Sequence, residues 1–222
     1  MPARSAQRAP ERRKRPVARG WKGVEVYALG HSTRPREELI QILQSFGVRT
    51  LVDIRTVPRS RTNPQFNPDG LAAALEEAGL RYTHLAKLGG LRKKTFEESP
   101  NQGWRNRSFR NYADYMQTPG FEEGLEELRQ LAREGPAAIM CAEAVPWRCH
   151  RSLVSDALFA RGVVVQQVSG VGKARPHRVT PFARFRKTQV TYPVDPRSPP
   201  EADGAGVPAS PRAGRGAARR PA

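Results

Sequence analysis

Read for hydrophobic period alone, the chain alternates short apolar runs with stretches where apolar residues recur every three or four positions. The runs at 24–29, 50–54, 81–85, 136–140 and 163–168 predict five strands. The helical stretches carry Leu39, Ile40, Leu43 and Phe46, then Leu71, Ala74, Leu75 and Ala78. Phe109, Tyr112 and Met116 mark a third, Phe121, Leu125, Leu128 and Leu131 a fourth, and Leu153, Ala157, Leu158 and Ala160 a fifth. Gly47, Gly79 and Gly162 follow the first, second and last of these as helix stops, and Pro119 separates the third from the fourth.

Strands alternating with helices predict a mostly parallel sheet covered by helices, joined by right-handed crossovers. The run at 50–54 is continuously apolar except for Asp53, as suits a strand covered on both faces. Ser32 or Thr33 is expected to cap the first helix, with Pro35 just inside it. The connection at 89–107 exceeds an ordinary connector, which predicts a flap over the strand ends carrying Trp104. A basic loop at 170–178 leads to a small terminal hairpin at 182–185 and 189–192. Strand order is not fixed by this pattern.

Composition adds boundaries. Residues 1–20 and 194–222 are rich in Arg, Pro, Ala and Gly without apolar period. They are expected to be disordered tails around one α/β domain at 21–193. The net charge is +17, with +6 in the first tail and +2 in the second, so the body keeps +9. A basic body favours anionic partners, either a small molecule or nucleic acid. No apolar run is long enough for a membrane span, and no secretory signal is evident. Two cysteines in such a chain point to thiols in a reducing cytoplasm. Oligomeric state is left open.

Chemistry concentrates in MCAEAVPWRCHRS, 140–152, between a predicted strand and a predicted helix. Ligands of open α/β sheets bind beyond the carboxyl ends of the strands. Cys149 is expected near the first helical turn, among Arg148, His150 and Arg151. That setting lowers a thiol pKa and makes Cys149 the candidate nucleophile. His150 or His31 is the candidate base, with Glu143 and Asp53 as acids of the same site. Asp53 reads equally as a structural partner of a nearby arginine. Ser32, Arg34, Arg55, Arg59, Arg148 and Arg151 are candidate anion contacts, and Trp147 offers a stacking face. Cys141, at a strand end, reads as a buried inert thiol.

The C-x6-R spacing from Cys141 to Arg148 is one residue longer than the C-x5-R of thiol phosphatases. C-x7-C followed at once by His has no familiar zinc spacing, so no metal is assigned, and no cofactor is named. The reading is an enzyme acting on an anionic, phosphate-bearing substrate, a nucleotide or nucleic acid. The alternative is a non-catalytic nucleic-acid or nucleotide-binding module.

GHSTR at 30–34, LVDIRTVPRSR at 51–61, NPQFN at 63–67, LGGLR at 88–92, FRNYADYM at 109–116 and CAEAVPWRCHR at 141–151 together resemble the bacterial and archaeal DUF488 family. The resemblance implies a Rossmann-like three-layer α/β/α sandwich and a single cytoplasmic domain. It maps the family's motifs onto His31, Ser32, Arg34, Asp53, Arg55, Pro58, Glu143 and the run Cys149, His150, Arg151. It implies one shared site at the strand ends and supplies no activity.

Overall fold

The computed structural model describes residues 17–194. The tail expectations for 1–16 and 195–222 lie outside the described residues. Residues 17–20, counted with the first tail, depart from expectation. The Ala18 N–H donates to the Arg161 carbonyl at 2.8 Å, and Trp21 just beyond is buried.

Five parallel strands form the sheet: β1 (Val26–Gly30), β2 (Thr50–Asp53), β3 (Arg81–His84), β4 (Ala137–Cys141) and β5 (Val165–Gly170). A sixth, β6 (Lys173–Pro176), pairs antiparallel with β5, and the order is β3-β2-β4-β1-β5-β6. The sequence pattern misses β6 because all four of its side chains are exposed. Backbone pairing at a sheet edge holds it, without an apolar face to announce it. β7 (Arg184–Arg186) and β8 (Gln189–Thr191) form the expected hairpin.

The sheet separates two apolar layers, and β4 shows why. Ala137, Ile139 and Cys141 enter one layer, whereas Ala138 and Met140 enter the other. That is the two-residue alternation of a strand buried on both faces. α1 (Arg36–Ser45) and α2 (Pro68–Glu77) cover the Met140 face through Leu39, Leu43, Leu71 and Leu75. α3 (Arg107–Tyr115), α4 (Pro119–Arg133) and α5 (Arg151–Ala160) cover the Cys141 face. The result is the Rossmann-like α/β/α arrangement. Cys141 therefore points toward the helices that carry the rest of the site.

Two local expectations change. α1 begins after Pro35 with no side-chain cap, and Ser32 instead adopts a positive φ of 51° in the preceding turn. The 89–107 connection is pinned at its far end. Asp114 accepts from Ser99 Oγ and Asn101 Nδ2, and Trp104 stacks on Phe109 at 4.7 Å. Its first residues, Gly90 and Leu91, do line a cleft at the strand ends.

Candidate functional site

β1, β2 and β4 end side by side, and their pairing runs on into the loops. His31 and Ser32 N–H donate to the carbonyls of Cys141 and Ala142, and Ile54 N–H donates to Met140. The approach after β4 is close: a Cβ on Gly30 would lie 1.9 Å from the Glu143 carbonyl oxygen, so only glycine fits there.

The chain then returns through one 3-10 turn, Pro146–Arg148, and brings Cys149 back against Cys141. Cys149 is extended (φ −134°, ψ 142°), and His150 turns helical (φ −54°, ψ −19°) as α5 begins. The Cys149 sulfur accepts the Arg151 N–H at 3.4 Å, so it occupies the otherwise uncapped start of α5.

His150 sets the chemistry. Its Nε2 lies 3.0 Å from the Ile54 carbonyl oxygen, which only accepts. The proton of the neutral ring therefore sits on Nε2, and Nδ1 presents its lone pair. Nδ1 is 3.8 Å from Cys141 Sγ and 3.7 Å from Cys149 Sγ, and the three donor atoms all lie within 4.8 Å of one another. Tyr112 packs edge-on against the imidazole at 5.0 Å and is itself held by its hydroxyl on the Leu88 carbonyl.

The two thiols are shifted in opposite directions. The hydrogen bond from Cys149, followed by the contact with His150, pushes the Cys141 thiol well below its ordinary value. The same bond, followed by burial, pushes Cys149 up. Two adjacent buried thiols ionise in sequence, as a pair. A cleft of about 350 Å³ opens onto this centre, walled by Arg55, Gly90, Leu91, Phe109 and Arg148.

The remaining sequence candidates divide. Asp53 and Arg55 form a buried bidentate pair: Nε donates to both carboxylate oxygens, and Nη2 to Oδ2 at 2.5 Å. Tyr82 OH also donates to Asp53, and Arg55 Nη2 donates to the Phe66 carbonyl. The structural-partner reading of Asp53 describes this arrangement. His31 is buried on Phe66, with Nδ1–H donating to the Ser32 carbonyl and Nε2 facing Arg55 Nη1 at 3.4 Å. Burial first, then the Arg55 charge, lower its pKa, so it stays neutral.

Arg151 lies wholly buried beneath the loop, donating to the carbonyls of Glu143 and Ala144. Arg34 is near Glu38 at 3.8 Å, and exposed Arg59 pairs with Asp69. Arg148 is exposed at the cleft, where Glu143 also lies with Oε1 accepting the Val145 N–H. Trp147, 67% exposed, faces a different cleft.

Three contributors escaped the sequence reading. Cys141 is at the centre of the cluster, although its place at a strand end suggested an inert thiol. The Ile54 carbonyl sets the histidine tautomer. Gly90 leaves room beside His150, because a Cβ there would lie 2.5 Å from Nδ1. The paired glycines at 89–90 were the available signal, since bulk is excluded where backbone approaches a side chain.

The family model described as "Domain of unknown function DUF488" matches residues 35–158. The chain belongs to the DUF488 family. Comparison with curated proteins and with solved structures gives no match. In this DUF488 chain the matched span holds both cysteines, His150, Ile54 and Gly90, whereas His31, Ser32 and Arg34 fall before it. No helix among the described residues is long and apolar enough to cross a membrane.

Proposed function

We propose that this DUF488 protein is an enzyme whose Cys141–Cys149–His150 centre acts on an anionic, phosphate-bearing substrate held in the adjoining cleft. One observation carries the reading: His150 Nε2–H is committed to Ile54, so Nδ1 is turned as an acceptor toward both sulfurs. A thiol proton passing to Nδ1 leaves a thiolate, the nucleophilic form of cysteine. The start of α5 and exposed Arg148 favour negative charge at the cleft. The substrate class is a nucleotide or nucleic acid, and the basic character of the chain, with no helix among the described residues long and apolar enough to cross a membrane, suits a cytoplasmic place for it.

The test is the pH dependence of alkylation at each cysteine, read by mass spectrometry, with and without inorganic phosphate and mononucleotides. Thiolate-like reaction below the free-cysteine range, slowed by the anions, is expected. Two thiols titrating near ~8.5 and indifferent to anions would sink the reading.

A second reading, a non-catalytic nucleic-acid or nucleotide-binding module, is favoured by the neighbouring cleft. It measures about 1030 Å³ and is lined by Trp104, Trp147, Arg175 and Arg178, with no acidic side chain among its lining residues. Exposed indole and guanidinium are the groups that stack bases and hold phosphates. Oligonucleotide affinity that survives loss of both thiols but falls in Trp147→Ala distinguishes it.

A further inference from the structure

We infer that Cys141, Cys149 and His150 form a binding site for a thiophilic divalent cation, with zinc the ion their donor set fits. The inference rests on the same centre as the proposed function and adds an occupant to it.

Two thiolates and one imidazole are zinc's preferred ligands, and the two negative charges neutralise the dication. A neutral centre is the form least costly to keep in a site this buried. The spacing agrees. Tetrahedral zinc with Zn–S of ~2.3 Å and Zn–N of ~2.0–2.1 Å sets sulfur and nitrogen roughly 3.6 Å apart. The two sulfurs lie 3.8 and 3.7 Å from Nδ1. One lone pair accepts one thiol proton well. Two sulfurs converging on it equally is the arrangement a common central ion requires.

The surroundings point the same way. Metal-bound histidines donate their other ring N–H to a carbonyl or carboxylate, and His150 gives Nε2–H to Ile54. Gly90 keeps the space beside Nδ1 clear of any side chain. The adjacency of Cys149 and His150 argued against a shared ion, and the backbone removes that objection. The change from extended to helical between them turns both side chains to one side. Three protein ligands facing a cleft leave a fourth position open to water or an anion, the mark of a reactive rather than a closed zinc site.

Binding releases the two thiol protons to solvent and involves no electron transfer. The ion takes the Nδ1 lone pair and both sulfurs, so a loaded centre has no free thiolate. Loading and alkylation are therefore exclusive, which supplies a readout independent of activity.

The test uses the full chain, stripped with a chelator and titrated with Zn²⁺ or Co²⁺. X-ray absorption at the zinc edge and cobalt–thiolate charge-transfer bands identify the ligands. The chain has only two cysteines, so any sulfur ligand reports this site. One ion per chain, with two sulfurs, and protection of both thiols from alkylation are expected. Cys149→Ser should reduce the count to one sulfur and weaken binding by more than the roughly 10–100-fold that losing an outer-shell partner costs. Gly90→Ala, which keeps every ligand, should weaken it as well.

A coordination shell without sulfur, or zinc that leaves both thiols reactive, overturns the inference. If zinc fails to protect thiols that still react as anion-protected thiolates, the ion falls and the proposed thiol chemistry stands. If zinc binds through sulfur while the zinc-free thiols are inert, the ion stands and that chemistry falls.

Discussion

Gly90 closes against the imidazole of His150 so tightly that a Cβ would come within 2.5 Å of Nδ1, 2.8 Å of Cγ and 2.9 Å of Cε1. Contacts this short force one partner to move. The ring is tied to Ile54 on its other side, so the displacement falls on the hydrogen bonds that set its tautomer. Gly90→Ala should therefore slow thiol alkylation at pH 7 by roughly tenfold or more, the usual effect of disturbing an orienting partner. Thermal unfolding should move little, because Gly90 lies in a cleft wall. An unchanged alkylation rate would remove Gly90 from the site.

The thiol pair has its own pH signature. Cys141 is held down by its bond from Cys149 and then by His150, so it stays ionised as pH falls through the free-thiol range. The first alkylation should be nearly flat between about pH 8.5 and 6, where a free cysteine slows about tenfold per unit. The second should appear only at higher pH, since Cys149 is pushed up. In Cys149→Ser the serine hydroxyl keeps one donor to Cys141, so the early step should survive and the late one vanish. Two equivalent thiols in the profile would contradict this pairing.

His31 makes stability depend on pH in a definite direction. Burial lowers its folded pKa below the ordinary ~6.5, so below that value the unfolded chain binds a proton that the folded chain refuses. Its contribution is to lower stability as pH falls from about 7 toward 5. His31→Gln should flatten that part of the urea-denaturation profile, whatever it does to stability at pH 7. A variant retaining the wild-type slope would show that His31 protonates freely in the fold.

Asp53 and Arg55 are buried together, and neither tolerates losing the other. Arg55→Leu should destabilise by about 3–5 kcal/mol, as expected when one charge of a buried pair is stranded. The double variant Asp53→Leu with Arg55→Leu should recover part of that loss. Chemical denaturation in a double-mutant cycle reads both quantities. An additive cycle would mean that the pair does not act as a unit.

The layer order was readable because strand and helix periods are local, and β4 writes its two-faced burial directly into AAIMC. β6 was not readable, since KARP is exposed and held only by its neighbour's backbone. At the site, Cys149, His150 and Arg148 were legible from charge and spacing within one loop. Cys141 is buried, as its place at a strand end suggests, and its approach to Cys149 and His150 was not readable because it depends on that loop's return path through the Pro146–Arg148 turn. Arg151 looked like an anion contact and His31 like a base, yet their partners are carbonyls and a neighbouring arginine. Residue type announces capacity to bind, and only the fold decides whether that capacity is already used.

Ile54 and His150 lie 96 positions apart, and β4 sits between two strands synthesised before it. A chain growing on the ribosome completes β1 and β2 with nothing between them. The sulfur of Cys141 arrives on the strand that fills this gap, and His150 meets Ile54 only once the gap is filled. Until then the cysteines are ordinary thiols and the histidine has no fixed tautomer. The assembled cluster is thus a certificate of completed folding: a full-length but misassembled chain contains Cys141, Cys149 and His150 without the geometry that joins them.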